Sequence, residues 1–204
     1  MQNSVSSSGT DATVLFVPGL RGHIVDHWQT LLAHDIPGSR TVPPEQTYPL
    51  SRDIRVYNLA REVAAIEGDI ILVAHSAGVL VTAHWAWAVR RTAGARIRGA
   101  LLVTPPDLER PLPAGYPTHE ELTDNDWLPI PRVELPFPSI LCASTNDPLA
   151  SFARTQALSK AWGCDLETLG DVGHMNPASG YGHWRDAFKL IARLRQCRSA
   201  RSFR

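Results

Sequence analysis

Cysteine is scarce in this chain. Cys142, Cys164 and Cys197 are the only three in 204 residues, an odd number without paired spacing. That argues against a disulfide framework and for a reducing compartment. An excess of charge of either sign is also missing, with 20 Lys and Arg against 20 Asp and Glu. Nucleic acid and membrane surfaces are therefore not the expected partners. No uninterrupted apolar run is long enough to span a bilayer. Met1 to Thr13 is Ser-rich and polar, without the basic segment and apolar run of a secretory signal. No internal repeat is visible. The expectation left by these absences is a soluble cytoplasmic protein. Its length suits one domain with a sizeable core, over 13–194, after a disordered leader (1–12) and before a basic flexible tail (195–204).

Short apolar runs alternate with helical patterns along the rest of the chain. Val14 to Val17 is apolar and ends at Pro18-Gly19, as a buried strand does before a loop. Asp26 is placed to cap a helix carrying Trp28, Leu31 and Leu32. Thr41-Val42 reads as a short edge strand. Ser51 caps a helix whose Val56, Leu59, Val63 and Ile66 recur at spacings of three and four, with Gly68 at its end. Ile70 to Ala74 is a buried strand, and Val79 to Val89 is apolar nearly all round, as a helix packed against a sheet would be. Arg90 and Arg91 fall in its last turn. Gly99 to Thr104, Ser139 to Ser144 and Leu166 to Leu169 are further strands. Pro148 opens a helix with Phe152, Leu158 and Trp162 inward, stopped by Gly163. A last helix carries Trp184, Phe188 and Ile191. Nine of the sixteen prolines lie in 105–138, which excludes a long helix there. The apolar Trp127, Leu128, Ile130, Leu135 and Phe137 make that segment an ordered excursion rather than a linker.

Strands alternating with helices imply an α/β fold. The sheet is expected to be open, mostly parallel and six-stranded, with helices on both faces and no separate cap domain. If the first strand lies beside the third, the order is 2-1-3-4-5-6. Ligands then bind where the order reverses, beyond the carboxyl ends of the strands.

Chemistry concentrates at that reversal. The stretch Ala74-His75-Ser76-Ala77-Gly78 sets one hydroxyl in a small-residue turn between a buried strand and a helix. It resembles the nucleophile elbow of α/β-hydrolases, G-x-S-x-G, with Ala74 in place of the first glycine. The plain alternative is that Ser76 is only a helix N-cap. A serine hydroxyl needs a base, and the base needs an orienting acid. Asp147, within Thr145-Asn146-Asp147-Pro148, and His174, within Gly173-His174-Met175, each follow a strand in the order Ser, acid, His. Asp147 before Pro148 is also a good N-cap, and His183 is a rival base. The backbone N–H groups of Ala77 and Leu20 are the expected oxyanion donors, with Gly19 allowing close approach. Gly19, His23, Trp127 and Met175 are expected to wall the pocket. His75 must point away from the Ser76 hydroxyl, toward packing or a hydrogen bond, and His84 reads as a core histidine. The spacing of His23 and His27 could suit zinc, but no third ligand is evident. No metal and no cofactor are expected.

Four segments resemble the small serine hydrolases grouped with retinoblastoma-binding protein nine. They are Val17-Pro18-Gly19 with His27-Trp28-Gln29; His75-Ser76-Ala77-Gly78; Ser144-Thr145-Asn146-Asp147-Pro148; and Gly170 to Asn176 running on to Ser179-Gly180-Tyr181-Gly182 and Trp184. The resemblance implies a triad of Ser76, Asp147 and His174 and says little about the substrate; the expected reaction is hydrolysis of carboxylic esters of small molecules, with amides or thioesters as variants. A binding protein that keeps the triad, or an acyltransferase on the same scaffold, would carry the same residues. A protein partner is not identifiable from the sequence.

Overall fold

The computed structural model describes residues 12–90 and 96–197; all of the expected leader but Ala12 and most of the expected tail lie outside them. Six strands form one parallel sheet: β1 (Thr13–Val17), β2 (Arg40–Thr41), β3 (Ile70–His75), β4 (Ile97–Val103), β5 (Ser139–Ser144) and β6 (Asp165–Gly170). Their order is β2-β1-β3-β4-β5-β6, and every neighbouring pair is parallel. The order reverses between β1 and β3, as expected.

Among the described residues there are six α-helices: α1 (Trp28–Asp35), α2 (Arg52–Ala65), α3 (Ala77–Ala88), α4 (His119–Asp124), α5 (Phe152–Trp162) and α6 (Asp186–Gln196). Successive strand side chains point to opposite faces, so each central strand feeds two cores. Leu15, Ile70, Leu72 and Ala74 pack with Leu59 of α2, Leu80 of α3 and Leu158 of α5. Phe16, Ile71 and Val73 pack on the other face with Trp28 of α1 and Leu190 and Ile191 of α6. Both faces being covered, β3 is buried at every position, which is why its sequence is a continuous apolar run instead of an alternating one.

Several element ends differ from expectation. His27, not Asp26, caps α1, its Nδ1 accepting from Gln29 N at 3.1 Å. Strand β2 starts one residue early, and Val42 only donates its N–H to Phe16 O. Helix α3 stops at Ala88, so Arg90 lies beyond it, and Arg91 is outside the described residues. Helix α5 starts at Phe152 with Ser151 as its cap, not at Pro148. Phe188 is 43 % exposed. The buried stripe of α6 is Ala187, Leu190, Ile191 and Leu194, spacings of three and four that leave Phe188 one position off the face.

Residues 105–138 form an ordered strap over α2 and α3. Trp127 is 1 % exposed and its Nε1 donates to Leu50 O at 2.7 Å; Arg52 Nε donates to Asp126 O at 2.9 Å. Thr118 and Glu121 form a capping box that starts the short α4 despite the surrounding prolines. His84, on α3, donates from Nε2 to Trp127 O at 3.2 Å, the satisfied core histidine expected. Among the described residues no helix is long and apolar enough to cross a membrane.

Candidate active site

Strand β3 ends at His75 and α3 begins at Ala77, leaving Ser76 alone to reverse the chain. Its φ of 55° and ψ of −127° place a non-glycine residue where side chains are strained. Packing holds it there. A Cβ on Gly78 would stand 2.2 Å from Val17 O and 2.6 Å from Pro18 O; one on Gly19 would stand 3.2 Å from Ser76 Cβ. The β1 loop and the start of α3 therefore touch backbone to backbone, and glycine at 78 is a steric necessity. Ala77 is the first residue of α3, so its N–H has no acceptor within the helix. Leu20 sits beside Ser76 at the mouth of the cleft. Its carbonyl is held, because the buried Arg55 donates from Nη2 to Leu20 O at 2.8 Å and to Pro49 O at 2.7 Å.

The loops after β5 and β6 bring the other two expected residues to the same point. His174 Nε2 lies 2.8 Å from Ser76 Oγ. Its Nδ1 lies 2.9 and 3.1 Å from the two oxygens of Asp147. Asp147 is not the α5 cap; its Oδ1 accepts from Leu149 N at 2.8 Å, and its side chain is 3 % exposed. Asn146 ties the two loops together, its Oδ1 accepting from Gly173 N at 2.6 Å and from Ser144 Oγ at 3.0 Å. The His174 carbonyl accepts from His75 Nε2 at 2.9 Å and from Thr104 Oγ1 at 3.4 Å, while its N–H donates to Ser179 Oγ at 3.1 Å. Both backbone groups of His174 are thus held, and its ring spans a hydroxyl and a carboxylate. Such an arrangement can move a proton off the serine and steady the imidazolium that results.

Two recesses meet at Ser76. A cleft of about 220 Å³ is lined by Gly19, Leu20, Arg21, His27, Tyr116 and His174 among others. A narrower apolar slot runs the other way, toward Leu108, Leu112, Leu122 and Trp127. Gly19, Leu20 and Trp127 therefore stand where a pocket wall was expected. His23 does not: it borders a separate small recess, and its Nδ1 pairs with Thr30 Oγ1 at 3.3 Å. Met175 does not either. Its φ of 49° turns it away from the cleft, and it is wholly buried in the core under α6. His183, the rival base, is exposed and has no place in either recess. Among the described residues no group of three or more His, Cys, Asp or Glu is placed to hold a metal ion.

Residues 14–193 match the serine hydrolase family. The chain belongs to that family. In a comparison of solved structures, the hydrolase is similar to a putative YdeN-like hydrolase from Pectobacterium atrosepticum, with 30% identity over 91% of each chain and a TM-score of 0.76. It also resembles the ydeN gene product of Bacillus subtilis (18% identity, 90% of this chain and 98% of that one, TM-score 0.63). A third likeness is to the type II thioesterase BorB of the borrelidin biosynthetic cluster (19% identity, 93% of each chain, TM-score 0.60). No relative is found among curated proteins.

Residues to which sequence reading assigns no role in the hydrolase's site complete it, together with His75, whose expected hydrogen bond is the one to His174 O. Gln29 is buried and donates to Val17 O at 3.3 Å and to Val73 O at 3.0 Å, joining β1 to β3 just below the elbow. His27, His75 and His174 form a column of rings, with centroids 4.6 and 5.0 Å apart. His27, Trp28 and Gln29 are all buried at the start of α1, an inward facing that no periodicity in the sequence reveals.

That column sets a pH limit on stability. Burial first, then repulsion from His174 and His23, pushes the His27 pKa down to about 4. Burial, then the nearby Arg52 guanidinium, does the same to His84. Burial holds His75 well below the ordinary imidazole value. The unfolded chain binds these protons near the ordinary pKa of about 6.5 and the folded chain does not, so stability falls with pH across that window. Between pH 7 and pH 4.5, His27 and His84 should each account for a loss on the order of 2 kcal/mol. Urea unfolding at the two pH values measures it; an unmoved midpoint would refute neutral, buried histidines.

Proposed function

We propose that Ser76, His174 and Asp147 form a catalytic triad that hydrolyses carboxylic esters of small molecules, with thioesters and amides within reach of the same chemistry. The observation carrying this reading is the chain of contacts Ser76 Oγ to His174 Nε2 at 2.8 Å and His174 Nδ1 to Asp147 at 2.9 Å, set at a strained turn. Ser76 attacks the carbonyl carbon as His174 takes its proton. The N–H groups of Ala77 and Leu20 receive the oxyanion. His174 then returns the proton to the leaving atom, and water releases the acyl group by the same steps in reverse. Asp147 keeps the Nδ1–H tautomer and stabilises the imidazolium. The acyl group occupies the apolar slot, which the buried Trp127 and Leu122 help to line; at about 30 Å³ the slot suits short chains.

The test is stable labelling by a fluorophosphonate probe together with turnover of short-chain esters. Wild-type protein should show both. Ser76→Ala should show neither, with its urea midpoint unchanged. Undiminished labelling in that variant would end the assignment of Ser76 as nucleophile.

A further inference from the structure

The two recesses at Ser76 differ in chemistry, and the proton path decides which half of a substrate each receives. His174 must protonate the leaving atom, so the leaving group lies on the His174 side, in the 220 Å³ cleft. Among the described residues the cleft's lining holds one charged side chain, Arg21, and no Asp or Glu. Arg21 is exposed, on the loop after β1, and its guanidinium stands 5.4 Å from the ring centre of Tyr116 on the facing strap. Among the described residues no carboxylate pairs with it. A guanidinium with one face on an aromatic ring keeps its N–H edge free for a planar anion. A second donor also lines the cleft. His27 Nδ1 accepts from Gln29 N, so the neutral ring carries its proton on Nε2, and that ring lines the cleft. Among the described residues no charged side chain lines the slot, so a charge on the acyl half would be desolvated without a partner.

We infer that the substrate's leaving group carries an anion, a carboxylate or a phosphate, and that Arg21 recognises it. This rests on the hydrolase reading above. The natural substrates are then esters of short apolar acids with hydroxy acids or with phosphorylated alcohols.

The experiment compares ω-acetoxy carboxylates with one to three methylene spacers against the amides of the same length, with 2-acetoxyethyl phosphate as a further arm. Acetate release gives kcat/KM. At the best spacer the carboxylate should exceed its amide by about tenfold, the size of one charge-assisted hydrogen bond. Arg21→Met should bring that ratio to about one, and Arg21→Lys should retain part of it. A larger preference for the phosphate arm would assign the anion as phosphate; a larger one for a carboxylate would assign it as a carboxylate. Equal turnover of anionic and neutral esters at every spacer would overturn this inference and leave the hydrolase reading standing. No turnover of any ester would overturn both.

Discussion

Asp147→Asn should lower kcat by about 10⁴ while the protein stays folded, the size of the corresponding loss in serine-protease triads. The neighbours of the carboxylate say why. Oδ1 accepts from Leu149 N at 2.8 Å, while Oδ2 makes the closer contact to His174, at 2.9 Å. An asparagine that keeps its carbonyl on the Leu149 N–H must turn its NH₂ toward His174. Nδ1 then becomes an acceptor, the ring proton moves to Nε2, and the nitrogen facing Ser76 can no longer take a proton. The turn with Leu149 survives, so stability should change little. Steady-state kinetics on a short ester, with urea unfolding as the control, decides the matter. A kcat within tenfold of wild type would reduce Asp147 to a turn former.

Gly78→Ala should destabilise the fold by about 3 kcal/mol, the upper end of ordinary overpacking, and lower kcat as well. The added methyl would lie 2.2 Å from one backbone oxygen and 2.6 Å from the next. No rotamer relieves such a contact; only separating α3 from the β1 loop does. That separation moves Ser76 and the Ala77 N–H away from Leu20, so structure and chemistry suffer through one displacement. Urea denaturation measures the first effect and kcat on a short ester the second. A midpoint unchanged within about 0.5 kcal/mol would mean the loop and helix are not locked together here.

The strand order and the three residues gathered at Ser76 were legible because each rests on a local signal. Buried parallel strands read as unbroken apolar runs, and Ser76 and Asp147 follow two of them, β3 and β5; His174 follows the half-exposed edge strand β6 and is marked instead by its order after the other two. Helix starts were less legible. Asp26 and Pro148 are both good starters by type, yet His27 and Ser151 cap the helices. At 147–149 the Asp147 carboxylate already holds a tight turn, which delays the helix. The pocket wall was least legible. Met175 sits next to His174 in sequence, but a left-handed backbone turns it into the core. Tyr116 and Arg21 come from segments with no periodicity to reveal their facing. Arg55, 35 residues from Leu20, reaches its carbonyl only through folding.

The proline-rich strap between β4 and β5 lends the site a modular character. Ser76, Asp147 and His174 stand at the ends of β3, β5 and β6, whereas Pro106, Leu108, Leu112, Pro117, Leu122 and Trp127 of the strap line most of the apolar slot. On the proposed function, catalysis and shape selection are thus encoded on separate pieces of chain that meet only in space. A strap grafted from a relative could remodel the slot while the proton relay kept its spacing, so specificity can drift in this scaffold without the chemistry being rebuilt each time.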